Sequence, residues 1–125
     1  GQVTRVRLND RSLPYGLCYG GFISTDLVDG VATIGSTHDS TRQHALVLPE
    51  DERENCEQLA EVFPHLSQSV EVVGNWSGVR VTTPQREPVC GNVIDNVDVC
   101  LALGAHGAVW HSALADELLL NSLST

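Results

Sequence analysis

The run Val97-Asp98-Val99-Cys100-Leu101-Ala102-Leu103 leads without a break into Gly104-Ala105-His106-Gly107-Ala108. Apart from Asp98 the run is apolar, the pattern of a strand covered on both faces. The small residues after it let a flat ligand come close to the backbone. A helix then runs to about Ser122, and its first-turn N–H groups have no partner within the helix. They present the positive end of the peptide dipoles to an oxygen or a developing anion. Leu114, Leu118, Leu119, Leu120 and Leu123 spread widely around this helix. A chain of 125 residues has little with which to cover so much apolar circumference, so a further covering partner is expected.

Ahead of this unit the sequence reads as a sheet with one helix. Val3, Val6 and Leu8 alternate with Arg5 and Arg7, which suits a strand. Leu17 to Thr25 reads as a second strand, with Gly20-Gly21 weakening it or marking a bulge. Asp29-Gly30 is a hairpin turn, and Val31 to Thr37 is the returning strand. His38 to Val47 is polar and irregular. Pro49 opens a helix with Glu50, Asp51 and Glu52 in its first turn, where anions are favoured. Cys56, Leu59, Ala60 and Phe63 form its apolar stripe, and Pro64 ends it. Val70 to Thr83 is the longest strand candidate. Val70, Val72 and Trp76 share one parity and Val79 and Val81 the other, which predicts a bulge at Gly78 that re-aims Arg80.

Composition narrows the function. With 42% apolar residues the chain can bury a core. A net charge of -9 opposes a phosphate backbone, so this piece is not expected to grip nucleic acid itself. No polybasic cluster points to a membrane surface, and no apolar run reaches the ~20 residues that cross a bilayer. Cys18, Cys56, Cys90 and Cys100 have no metal-type spacing and are expected as buried, reduced thiols of a cytoplasmic protein. The chain contains no Met and begins at Gly1, which leads us to expect further chain upstream.

Candidate site residues are few. Arg80 is a rare cation in an acidic chain, suited either to a substrate carboxylate or to a structural ion pair. Gly104, Ala105, His106, Gly107 and Ala108 are the expected cofactor-binding residues, with His106 also a polar contact to substrate. His106 and His111 stand five apart, off the i, i+4 spacing of a helical metal pair, and no metal site is expected. A His-dependent metal hydrolase using His38, His44, His106 and His111 stays open as a competing reading. No catalytic acid, base or nucleophile is assigned: composition allows Ser/His/Asp or Cys/His triads, but no G-x-S-x-G elbow or Cys signature supports one, and no dinucleotide-binding G-x-G-x-x-G occurs.

Read together, several segments resemble the C-terminal half of the D-amino-acid oxidase/glycine oxidase superfamily of flavoenzymes, and within it a branch that modifies tRNA. They are Gly1-Gln2-Val3, Leu17 to Ile23, Ile34 to Asp39, Gly78 to Pro84, Glu87 to Asn92, and Leu103 to Leu119. The resemblance implies FAD and the oxidation of a C–N bond in an amine or amino-acid-like substrate. In the tRNA branch it implies loss of a carboxymethyl group from a wobble uridine, with glyoxylate as by-product. It further implies that Arg80 meets the substrate carboxylate and that the bend at Gly104 to Ala108 approaches the isoalloxazine. The sequence departs from the family in three places. His106-Gly107 stands where an arginine is usual, Gln85 where an aspartate follows Thr-Pro, and Ser112-Ala113 where an Ala-Pro pair is usual.

The expected fold is α+β: a mostly antiparallel sheet with a covering helix, followed by a C-terminal strand–glycine turn–helix. Residues 1–95 are expected as a substrate-side sheet domain. Residues 96–125 are expected to complete the flavin site of an absent N-terminal dinucleotide-binding domain. Hydride transfer to a flavin is largely a positioning task, which accounts for a cation and a glycine turn without an acid–base dyad. Any tRNA would be held by other parts of the longer protein. The alternative is a non-catalytic interaction module, a relic of this fold that docks a partner or dimerises through its apolar C-terminal helix.

Overall fold

A computed structural model describes residues 1–9, 13–26, 30–104 and 107–123. The chain divides into two compact units, Gly1–Val79 and Arg80–Thr125. The sequence-based division at residues 95 and 96 falls instead in the turn of a hairpin of the second unit.

The first unit is a five-stranded antiparallel sheet in the order β2-β3-β4-β1-β5. Its strands are β1 (Gln2–Leu8), β2 (Leu17–Cys18), β3 (Phe22–Asp26), β4 (Val31–Gly35) and β5 (Val70–Ser77). The second expected strand is therefore two strands folded on each other, with Leu17 opposite Ile23 and Cys18 opposite Phe22. Gly20 sits at φ +101°, and a Cβ on Gly21 would lie 2.7 Å from the Gly35 carbonyl oxygen. The two glycines make a tight turn rather than a bulge, because one needs a left-handed backbone and the other a bare Cα.

Strand β1 alternates as its sequence predicts: Gln2, Thr4, Val6 and Leu8 are buried on one face. The apolar end of this row joins Ile23, Ala32, Ile34 and Leu59 in the core. Helix α1 (Pro49–Val62) supplies Leu59, which is fully buried and worth about 2 kcal/mol of transfer free energy. Cys56 and Phe63 pack at the edge of this cluster. The other half of the buried helix stripe is polar, with Asn55 one turn and Asp51 two turns before Leu59. Asn55 faces the polar end of β1, whereas Asp51 takes the Arg42 guanidinium. Asn55 Nδ2 donates to the Gln2 carbonyl at 3.1 Å and to Thr4 Oγ1 at 3.2 Å. Gln2 extends the network by bonding both backbone groups of Leu48, the residue that precedes α1 (3.0 and 2.8 Å). Helix α2 (Pro64–Ser67) follows α1 directly.

The irregularity in the long strand lies at Val73, not Gly78. Arg5 pairs with Gly74 and Val6 with Val72, so Val73 is the extra residue. The parity change sends Asn75 to the Thr4 side, where its Oδ1 accepts the Thr4 hydroxyl at 2.8 Å. It leaves Trp76 opposite Val3, on the other face from Val70 and Val72, and 63% exposed. Gly78 follows the strand, and a Cβ there would meet the Trp76 ring at 2.5 Å.

The second unit comprises a β6–β7 hairpin and α3. Strands β6 (Val89–Ile94) and β7 (Val97–Leu101) pair antiparallel, and α3 spans Gly107–Leu123. Strand β7 is shorter than predicted and mostly exposed rather than covered on both faces. Asn96, at φ +63°, supports the two-residue turn with Asp95.

Candidate functional site

The predicted glycine bend lies between β7 and α3. Ala102 is 8% exposed and holds φ +57°, and Gly104 holds φ +63°. A left-handed alanine costs about 1–2 kcal/mol, so the surrounding chain must fix this conformation. Among the described residues a Cβ built on Gly104 meets nothing within 4 Å, so the residue is needed for its φ and those residues leave open space above the backbone. At Gly107 a Cβ would stand 3.2 Å from Leu103 Cβ, a close but intramolecular contact. Helix α3 begins there, and the His111 ring donates from Nδ1 to the Gly107 carbonyl at 3.1 Å. His111 is thereby turned onto its own helix. Ala105 and His106 lie outside the described residues.

Arg80 opens the second unit in a segment without regular structure and is exposed. Among the described residues its guanidinium makes no ion pair, in contrast to Arg42, which bridges Asp39 (3.0 Å) and Asp51. The hydrogen bond from Arg42 to Asp51 holds the guanidinium pKa above its ordinary value. Arg86, on the same loop, occupies φ +60°, and the Thr83 hydroxyl and Glu87 tie the loop across it.

The first unit has an open depression of about 230 Å³ lined by Tyr19, Gly20, Gly21, Gln58, Glu61 and Val62. Burial, and then the neighbouring Cys56, raise the Tyr19 hydroxyl pKa. None of the sequence-predicted site residues lines it. Among the described residues no three His, Cys, Asp or Glu side chains gather as a metal site. His38 is engaged with Ser36 Oγ at 3.2 Å. No helix of the described chain is long and apolar enough to cross a membrane.

The cysteines differ most from expectation. Cys18 is exposed, and Cys90 and Cys100 face each other across the β6–β7 hairpin with their sulfurs 2.8 Å apart. The hydrogen bond with Cys100, then burial and nearby negative charge, push the Cys90 thiol up to about 11.

The family described as FAD dependent oxidoreductase matches residues 1–119. Three relatives carry the same name, tRNA 5-methylaminomethyl-2-thiouridine biosynthesis bifunctional protein MnmC. The one from Idiomarina loihiensis is 32% identical over 122 residues, 94% of this chain and 20% of the relative. The one from Marinobacter nauticus is 31% identical over 129 residues, again 94% of this chain and 20% of the relative. The one from Maricaulis maris is 37% identical over 91 residues, 71% of this chain and 15% of the relative. The chain thus spans about one fifth of the length of these relatives. No solved structure matches it.

Proposed function

The chain belongs to the FAD-dependent oxidoreductase family, and from that premise we propose that it is the substrate-side part of a longer flavoprotein that oxidises a C–N bond. The observation that carries the reading is the bend at Gly104: a left-handed glycine with open space above it, directly before the first turn of α3. The fit to a flavin is good. A planar ring can approach bare backbone there, and the α3 N–H groups at Gly107 and Ala108 favour negative charge on its carbonyl edge. FAD, when bound, accepts the two electrons and the hydrogen removed from the substrate carbon. Gly104, Ala105, His106, Gly107 and Ala108 are the residues that would hold it, with His106 also reaching the substrate.

Arg80 is assigned to the substrate carboxylate. It is exposed and without a partner among the described residues, so its guanidinium can form a bidentate pair without breaking another. This chain's part in the reaction is to orient the amine by its carboxylate and to offer positive dipoles to the ring. The names of the relatives support a finer reading. The substrate is the carboxymethylaminomethyl group of a tRNA wobble uridine, and glyoxylate is the product. The acidic charge of the chain supports leaving the tRNA backbone to other parts of the protein.

The missing partner is a dinucleotide-binding domain that carries the FAD pyrophosphate. Val109 (75% exposed), Trp110 (46%) and Leu119 (61%) support a covering surface over α3. The same exposure favours the competing reading, an interaction module that docks or dimerises through α3 without flavin. An absorbance spectrum of the full-length protein separates the two: a bound flavin chromophore supports oxidation, and a colourless protein rejects it. On the flavin reading, Arg80→Ala raises KM for the carboxylate-bearing amine on the order of 30–100-fold, from loss of charge-assisted hydrogen bonds. An unchanged KM would remove Arg80 from the site.

A further inference from the structure

We propose that Cys90 and Cys100 form a redox-active dithiol, oxidised by hydrogen peroxide to a cross-strand disulfide within the β6–β7 hairpin. The two residues are direct partners in the antiparallel register, flanked by the pairs Val89–Leu101 and Gly91–Val99. Directly opposed residues of such a ladder have Cα atoms about 4.5–5.5 Å apart, within the roughly 4.4–6.8 Å that a disulfide spans. Their sulfurs are 2.8 Å apart and both side chains are only partly buried, so neither closure nor access requires the strands to part.

Cys90 Sγ donates to Cys100 Sγ, which makes Cys90 the proton-holding partner of the pair and Cys100 the attacking sulfur. The raised Cys90 pKa agrees with that direction, and its causes include Cys100 and the Glu117 carboxylate of α3. The Cys100 sulfur attacks one peroxide oxygen, the O–O bond breaks, and a sulfenic acid forms with release of water. The Cys90 sulfur then attacks the sulfenic sulfur. The S–S bond forms as the S–O bond breaks, and the Cys90 proton leaves with the hydroxide as a second water. Two thiols lose two electrons and one peroxide gains them. A small dithiol reverses the step.

The other two cysteines belong to the first unit. Cys18 lies exposed on β2, and burial followed by the charges of Glu52 and Glu57 raises the Cys56 pKa. Neither has a sulfur partner among the described residues.

The test uses the whole chain, reduced, desalted and then given a small excess of hydrogen peroxide. Free thiols are alkylated under denaturing conditions, and peptides are mapped by mass. The expected result is loss of two of the four alkylatable thiols, with one peptide pair joined through Cys90 and Cys100 and full recovery in dithiothreitol. The Cys18→Ser/Cys56→Ser double variant, with its far-UV circular dichroism checked, gives the same joined pair. The Cys100→Ser variant gives none. Four thiols surviving peroxide, a bridge to Cys18 or Cys56, or oxidation of Cys90 and Cys100 as separate sulfinic acids would each overturn the proposal.

Discussion

Replacing Asn55 by alanine and by aspartate separates two opposed contributions at one buried position. Asn55 is fully buried; its Nδ2 has two acceptors, whereas Oδ1 has no hydrogen-bond partner among the described residues. The Gln2 carbonyl beside Nδ2 fixes the amide in this orientation. Asn55→Ala removes two hydrogen bonds, about 1 kcal/mol each, but also removes the orphaned oxygen, worth about 1–3 kcal/mol of desolvation. The acceptors left behind remain engaged. The Gln2 carbonyl keeps the Thr37 amide at 3.2 Å, and the Thr4 hydroxyl keeps Asn75. The net loss is therefore small, at most about 1 kcal/mol. Asn55→Asp keeps the shape but places a second acceptor against those acceptors, at a cost of roughly 3–5 kcal/mol. Burial raises the pKa of the introduced carboxyl above its unfolded value near ~4, so its penalty is absent below that pH. The penalty grows by up to about 1.4 kcal/mol per pH unit above it. Urea denaturation followed by circular dichroism at pH 4.5 and pH 7 reads this directly. The aspartate variant should fall well below the alanine variant at pH 7 and close on it at pH 4.5. Equal stabilities at both pH values, or an alanine variant down by more than about 3 kcal/mol, would refute the reasoning.

The two structural glycines should respond differently to alanine. At Gly104 only backbone strain arises, about 1–2 kcal/mol, whereas at Gly21 the new Cβ meets the Gly35 carbonyl oxygen at 2.7 Å and the cost is larger; thermal melts of both variants check the order. Hydrogen bonds from the Thr41 hydroxyl and amide hold the Asp39 carboxyl below its usual range. Its contribution is present above the ordinary carboxylate pKa and lost as pH falls through the lowered value, so the protection of the Thr41 amide, relative to its intrinsic exchange rate, should drop only in that acid window. Arg80→Ala should leave the denaturation midpoint unchanged within about 0.5 kcal/mol, because the exposed guanidinium has no partner among the described residues.

Much of the sheet was legible because period-two alternation in β1 and the apolar run of β4 are local signals; Asp29 of the expected Asp29-Gly30 turn lies outside the described residues. Helix α1 was legible from Pro49, its acidic first turn and Leu59. Its polar half was not. Asn55 looks solvent-facing until β1 is known to offer Gln2 and Thr4 opposite it, and Asp51 until Arg42 is known to reach it from the preceding loop. The Val73 bulge escaped for a related reason: the parity of Val70, Val72 and Trp76 is continuous in sequence, and only pairing with β1 reveals the extra residue. The cysteine pair shows the same limit. Around the Asp95-Asn96 turn a regular hairpin would set Cys90 against Leu101. The irregularity at Val93 moves the register by one and brings Cys100 opposite instead. Strand β6 itself was missed because Pro84, Pro88 and Gly91 make its surroundings read as loop. The bend at Gly104 was legible as a glycine-rich turn, but its open upper side was not.

Amide hydrogen exchange on the full-length protein, with and without FAD, addresses the flavin assignment at its root. The account predicts that FAD slows exchange across Leu103 to Trp110, at the bend and first turn of α3, while the sheet of β1 to β5 changes little. Exchange at that bend unaffected by saturating FAD would contradict it.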